Sequence, residues 1–145
     1  MTVTMILIPL LSFSAEKLPD SNRVLTLKEV LADPDKYDGK RITIDGYYLE
    51  GHETSILASA PFDGATLVQG PLVWVSWSIN VPADMYFMLK KMPGVGRDNF
   101  TGRVKAEGIF RKTKGGGHLG EYKYGFWVSA ISVYDKKRDK FIPVR

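Results

Sequence analysis

LTLKEVLADPDKYDGKRITIDGYY, Leu25–Tyr48, is the stretch whose reading decides the fold. Thr26 and Glu29 have capping-box spacing: the hydroxyl answers an orphan amide of the first turn, and the carboxylate reaches back to the cap. Leu27, Val30 and Leu31 then fall at i, i+3 and i+4, the apolar stripe of a short amphipathic helix. Asp33-Pro34 ends that helix, because the residue before a proline avoids helical backbone. Asp38-Gly39 is a turn signal. From Lys40 to Tyr48 the pattern changes to period two. Ile42, Ile44, Gly46 and Tyr48 share one face of a predicted strand, and Arg41, Thr43, Asp45 and Tyr47 share the other. Gly46 inside the strand predicts a bulge or sharp bend.

Working outward, the rest of the chain reads as strands returning to this first one. Leu49–Thr54 is a turn, and Ser55–Ala60 a short second strand. Pro61–Pro71 is a Gly- and Pro-rich loop. Leu72–Val81, rich in Val, Ile and Trp, is the strongest strand by propensity. Pro82–Met92 predicts a helix stopped by Pro93-Gly94. Phe100–Lys112 is a long alternating strand with Val104, Ala106, Gly108 and Phe110 on one face, and Gly108 marks a second bend. Thr113–Tyr124 reads as a Gly-rich loop, Gly125–Asp135 as the last strand, and KKRDKFIPVR as a basic tail.

A chain of 145 residues with 44% hydrophobic and 25% charged residues is sized and composed as one globular domain. It has no cysteine, which excludes disulfides, thiolate metal sites and a cysteine nucleophile. Charge is divided unevenly. Residues 1–89 hold 6 Lys/Arg against 11 Asp/Glu, a net of −5, and residues 90–145 hold 14 against 5, a net of +9. The basic half is a candidate attractor for an anionic partner.

Residues 1–14 have the apolar run and the small-x-small ending (Ser12-Phe13-Ser14) of a signal peptide, without a basic n-region, and the run is too short to span a bilayer. Residues 15–24 read as a linker, and 25–145 as a single domain. Export to the periplasm or outside the cell is the expectation, with a cytoplasmic location as the alternative.

The expected fold is therefore all-β with minor α, a five-stranded Greek-key barrel in the order α-β-β-β-α-β-β, which is the order of the OB-fold. The run L-x-E-x-L-x-x-P-x-x-Y-D-G-K-R-I-x-I-x-G from Leu27 to Gly46, Glu53 in the first hairpin, and G-H-L-G from Gly117 to Gly120 resemble small bacterial OB-fold proteins of unknown function, many predicted to be exported. The resemblance covers about residues 25–135 and implies a fold and an exported location, not an activity.

Such a barrel binds along its second and third strands, between the first hairpin and the loop joining strands four and five. Those loops carry the two histidines, His52 and His118, with Glu53 and Glu121 beside them. Two scattered histidines do not make a metal motif, and Gly115-Gly116-Gly117 lacks both the helix and the Lys-Ser/Thr ending of a phosphate loop. No metal and no cofactor is expected. Trp74 and Trp77 have opposite parity, so one faces the core and the other the outside. Tyr47, Trp77 and Trp127 also read as a cross-strand aromatic cluster. An outward Trp near Lys112, Lys114 and Lys123 suits base stacking. The candidate ligand-binding residues are thus His52, Glu53, Trp74, Trp77, Lys112, Lys114, His118 and Lys123. No catalytic constellation appears. The expected function is a non-enzymatic binding module for a protein, peptide or small ligand, with single-stranded nucleic acid as the alternative partner.

Overall fold

The computed structural model describes residues 23–51, 53–61, 70–77 and 100–144. The candidate signal peptide, the predicted helix Pro82–Met92 and His52 lie outside them. The described chain is mostly β, with two short helices. In order, its elements are β1 (Val24–Thr26), α1 (Leu27–Ala32), α2 (Pro34–Tyr37), β2 (Arg41–Gly51), β3 (Thr54–Ala58), β4 (Val73–Trp77), β5 (Phe100–Gly116), a 3-10 turn (His118–Gly120), β6 (Tyr122–Asp135) and β7 (Lys140–Pro143).

The capping box forms as its spacing demands: the Glu29 amide donates to Thr26 Oγ1 at 3.2 Å, and the Thr26 amide donates to the Glu29 carboxylate at 2.7 Å. α1 stops at Asp33, but the chain does not run straight into the turn. Pro34 starts a second, four-residue helix from its first position, where a proline's missing amide costs nothing. Gly39 then takes φ +73°, and its amide donates to the Phe110 carbonyl at 2.8 Å. This ties the helical lead-in to β5. Leu27, Val30 and Tyr37 enter the core from it.

β2 alternates as predicted, with Ile42, Ile44 and Tyr48 buried. It pairs with three other strands, as β6 does. One edge pairs antiparallel with β5 from Arg41 to Glu50. The other edge pairs in parallel with β1 over Thr43–Asp45, then antiparallel with β3 over Tyr47–Gly51. Gly46 sits where that edge changes partner, with no shift of register against β5. From β3 the pairing passes to β4, then in parallel to β6, then to β5 and back to β2, so the sheet closes partly into a ring. Val73, Val75, Val104, Ala106, Phe110, Phe126 and Val128 fill its inside.

The bend predicted at Gly108 is a β-bulge. Glu107 pairs with Ala130 but Gly108 with Val128, leaving Ser129 as an extra residue on β6. Ser129 and Ala130 consequently point outward in succession, and the bulge is fixed by the Ser129 hydroxyl donating to the Glu107 carbonyl at 3.2 Å.

Further sequence readings need correction. The predicted turn Leu49–Thr54 is narrower, because β2 runs on to Gly51 and β3 starts at Thr54. β1 is a paired strand within residues read partly as linker. The Gly-rich loop is short: β5 and β6 extend into it as a hairpin that turns at residues 117–121, because Gly116 still pairs with Tyr122. The basic tail contains β7, paired with β6 from Ser132 to Asp135. Asp135 organises that turn by accepting from the Lys137 and Arg138 amides at 2.8 and 3.3 Å. Phe141 is then held by the Lys105 ammonium 4.2 Å above its ring and by Tyr134 at 5.3 Å. Among the described residues the sheet therefore has seven strands rather than five, with five of them in the ring.

Candidate functional site

Two hairpins frame one side of the sheet. The β2–β3 hairpin turns through Glu53, which adopts φ +56°. The β5–β6 hairpin turns through Gly117–Glu121, with Gly117, Leu119 and Gly120 all at positive φ. Although 64 residues separate them in sequence, the two turns meet: His118 Nε2 lies 3.4 Å from a Glu53 carboxylate oxygen. Protonation of the ring makes this an ion pair.

Between the hairpins lies the outer surface of β3 and β4. Val73 and Val75 face the core, so Trp74 takes the opposite side of the sheet, half-buried and directly across from Ile56 on β3, which is itself buried. The β5–β6 hairpin folds onto this tryptophan. Tyr122 packs on it with ring centroids 5.2 Å apart, and a β-carbon at Gly117 would come within 2.6 Å of both rings. Only a glycine lets the hairpin backbone settle this closely. Burial pushes the Tyr122 phenol up, with Glu121 adding to the effect.

Trp77 lies at the other boundary of the same strand. It packs against the core and meets Tyr48 edge-on, with centroids 5.7 Å apart and planes at 89°. The expected Tyr47–Trp77–Trp127 cluster therefore does not form this way: Trp77 joins Tyr48, while Trp127 lies outward over Gly125, 39% exposed.

The remaining predicted residues divide. Lys114 and Lys123 are exposed on the β5–β6 hairpin. Lys112 turns towards the helical lead-in instead, its amide donating to Asp38 at 2.9 Å and its ammonium contacting Asp35. Its charge is spent there rather than beside Trp74. The structure thus brings together Glu53, Trp74 and His118, and sets Trp77 and Lys112 apart from them.

A polar group that the sequence reading passed over sits inside the ring near Trp77. Tyr48 is fully buried, and its hydroxyl shares a 3.0 Å hydrogen bond with Ser55 Oγ. Ser55 in turn donates to the Glu50 carboxylate at 3.2 Å. Glu50 falls two residues after Tyr48, on the inward parity of an alternating strand, and that is the signal that could have revealed it. Burial raises its pKa, and the Ser55 hydrogen bond only partly opposes this.

A pH dependence follows. With its folded pKa above its unfolded one, Glu50 favours the fold most when protonated, below about pH 4.3, and that contribution is lost as pH rises through the folded value. Glu50→Gln keeps the Ser55 acceptor and removes the charge. Urea denaturation should show the variant more stable than the parent at pH 7, with the gap closing towards pH 4; a gap independent of pH would refute the assignment.

Among the described residues, no group of three or more His, Asp or Glu is placed to hold a metal ion, and no helix is long and apolar enough to cross a membrane. Comparison of the chain with protein-family models, with characterised proteins and with solved structures finds no match.

Proposed function

We propose that this chain is an OB-like Greek-key barrel acting as a non-enzymatic binding module outside the cytoplasm, taking a protein, peptide or small ligand on the outer surface of β3 and β4. The order of pairing supports the barrel reading. The first long strand is shared between two sets of neighbours, and the third and last strands of the ring meet in parallel. The resemblance of Leu27–Gly46 and Gly117–Gly120 to small bacterial OB-fold proteins of unknown function, many of them predicted to be exported, supports the location.

The observation that carries the binding site is the meeting of Glu53 with His118, on the hairpin whose Gly117 and Tyr122 pack against Trp74. Two hairpins with positive-φ tips flank an aromatic surface, and loops held on a rigid sheet are where recognition residues concentrate. Single-stranded nucleic acid is the second reading, favoured by Lys114 and Lys123 on the same hairpin. The engagement of Lys112 by Asp35 and Asp38 weakens it.

The test is an amide chemical-shift screen of the full chain against peptides, small polar ligands and oligothymidylate. Binding at this site predicts shifts clustered at Glu53, Trp74, His118 and Tyr122, at an affinity that barely changes between 50 and 200 mM salt. Shifts clustered elsewhere overturn the site. Saturable oligothymidylate binding that falls steeply over that salt range selects the second reading.

A further inference from the structure

We propose that the outer surface centred on Trp127 binds carbohydrate, stacking a neutral sugar ring on the indole. This deepens the binding-module reading, on which it rests, by naming a ligand class for the part of the surface that adjoins Trp74.

Strand register assembles the platform. Trp127 on β6 stands between Ser76 on β4 and Ile109 on β5, and Ile109 in turn faces Arg41 on β2. Directly opposed residues share a face, so Arg41, Ile109, Trp127 and Ser76 form one row across four strands. Neighbouring strands are about 4.8 Å apart, which gives the row the breadth of more than one pyranose ring. The indole leans along its own strand towards Gly125. A β-carbon at Gly125 would come within 2.8 Å of Trp127 Cζ3 and 3.0 Å of Cη2, and the Thr113 methyl closes the same space at 3.3 Å. The benzo end of the indole therefore reaches over the glycine, and the side chain remains 39% exposed. Of the large hydrophobic side chains exposed among the described residues, it is the aromatic one.

Beside this flat surface the bulge presents a hydrogen-bonding group of both polarities. Arg41 donates to Ser129 Oγ at 3.0 Å and to the Glu107 carboxylate at 3.3 Å. Arg41 and Glu107 are each about half exposed, so both retain capacity for a ligand. A guanidinium donor next to a carboxylate acceptor matches vicinal hydroxyls, which donate and accept together. The same carboxylate repels a phosphate backbone. Arg111, exposed and opposite Gly125, adds a second donor at the rim. An aromatic plane bounded by paired charges and hydroxyls fits a neutral polyol better than a polyanion.

The experiment titrates the full chain with hexasaccharides of β-linked glucose, β-linked N-acetylglucosamine and α-linked glucose, and with twelve-residue oligothymidylate, following tryptophan fluorescence. Saturable binding of at least one sugar is expected, weakened about tenfold or more in Trp127→Ala and largely kept in Trp127→Phe, which retains a stacking ring. Circular dichroism of each variant checks that the fold is intact. Sugar binding unchanged in Trp127→Ala overturns the platform. Oligothymidylate binding without sugar binding overturns the ligand class but leaves the surface a binding site. Failure of every probe overturns the carbohydrate assignment, while shifts at Glu53, Trp74 and His118 with a peptide would still uphold the binding module itself.

Discussion

Gly108→Ala should unfold this protein or come close to it. A β-carbon at residue 108 would lie 2.2 Å from the Trp127 carbonyl oxygen and 2.9 Å from the Val128 α-carbon. Both are backbone atoms of the neighbouring strand, so no rotamer change relieves the overlap. The strand pair must separate at the point where the Ser129 bulge is set, and β5 is also paired there with Ile42 on β2. The expected loss is about 3 kcal/mol or more, the range reached when a core is overpacked against fixed backbone. Gly46→Ala is the control. Its β-carbon would stand 3.2 Å from the Ala58 carbonyl, a contact that a few tenths of an ångström relieve. Urea denaturation of both variants decides the matter: a Gly108→Ala midpoint close to that of Gly46→Ala would show that the bulge is pliable.

Phe126→Ala carries the second large effect. Phe126 is fully buried and lies in register between Val75 on β4 and Phe110 on β5. It thus fills the core beside the parallel pairing of β4 with β6. Truncation leaves a cavity among residues already anchored by backbone pairing on both sides. A loss of about 3–5 kcal/mol is expected, and Phe126→Leu should recover most of it. A loss below about 1.5 kcal/mol for the alanine variant would mean that the ring collapses inward to fill the gap.

These two positions also show what could be read in the sequence. Val104, Ala106, Gly108 and Phe110 announce one buried face by parity alone, and the capping box at Thr26 and the turn at Gly39 are local features decided by local chemistry. Gly46 and Gly108 looked alike, each a glycine inside an alternating strand. One marks a change of partner and the other a bulge, and the difference lies on the neighbouring strand, which one strand's pattern does not contain. β7 was hidden because Phe141 and Ile142 follow a run of basic residues; its docking depends on Lys105 and Tyr134, far away in sequence. The meeting of Glu53 with His118 was legible only as two loops that the fold would place near each other. Glu50 gives little signal in the sequence, because a carboxylate next to a hairpin usually points to water. Trp127 reads in the sequence as a member of an aromatic cluster, since its outward placement over Gly125 depends on strand pairing.

The seam between β2 and β5 has a kinetic consequence. It joins residues 41–50 to residues 100–109, so every contact along it closes a loop of about fifty to seventy residues. The β2–β3 hairpin can form early, but the ring stays open until the C-terminal half of the chain has arrived. Chains dominated by such distant pairings fold in milliseconds to seconds, far more slowly than helical ones. Until then the inward faces of β2 and β3 stay uncovered. A newly made chain of this design therefore spends its first moments with apolar strand faces open to solvent and to other chains.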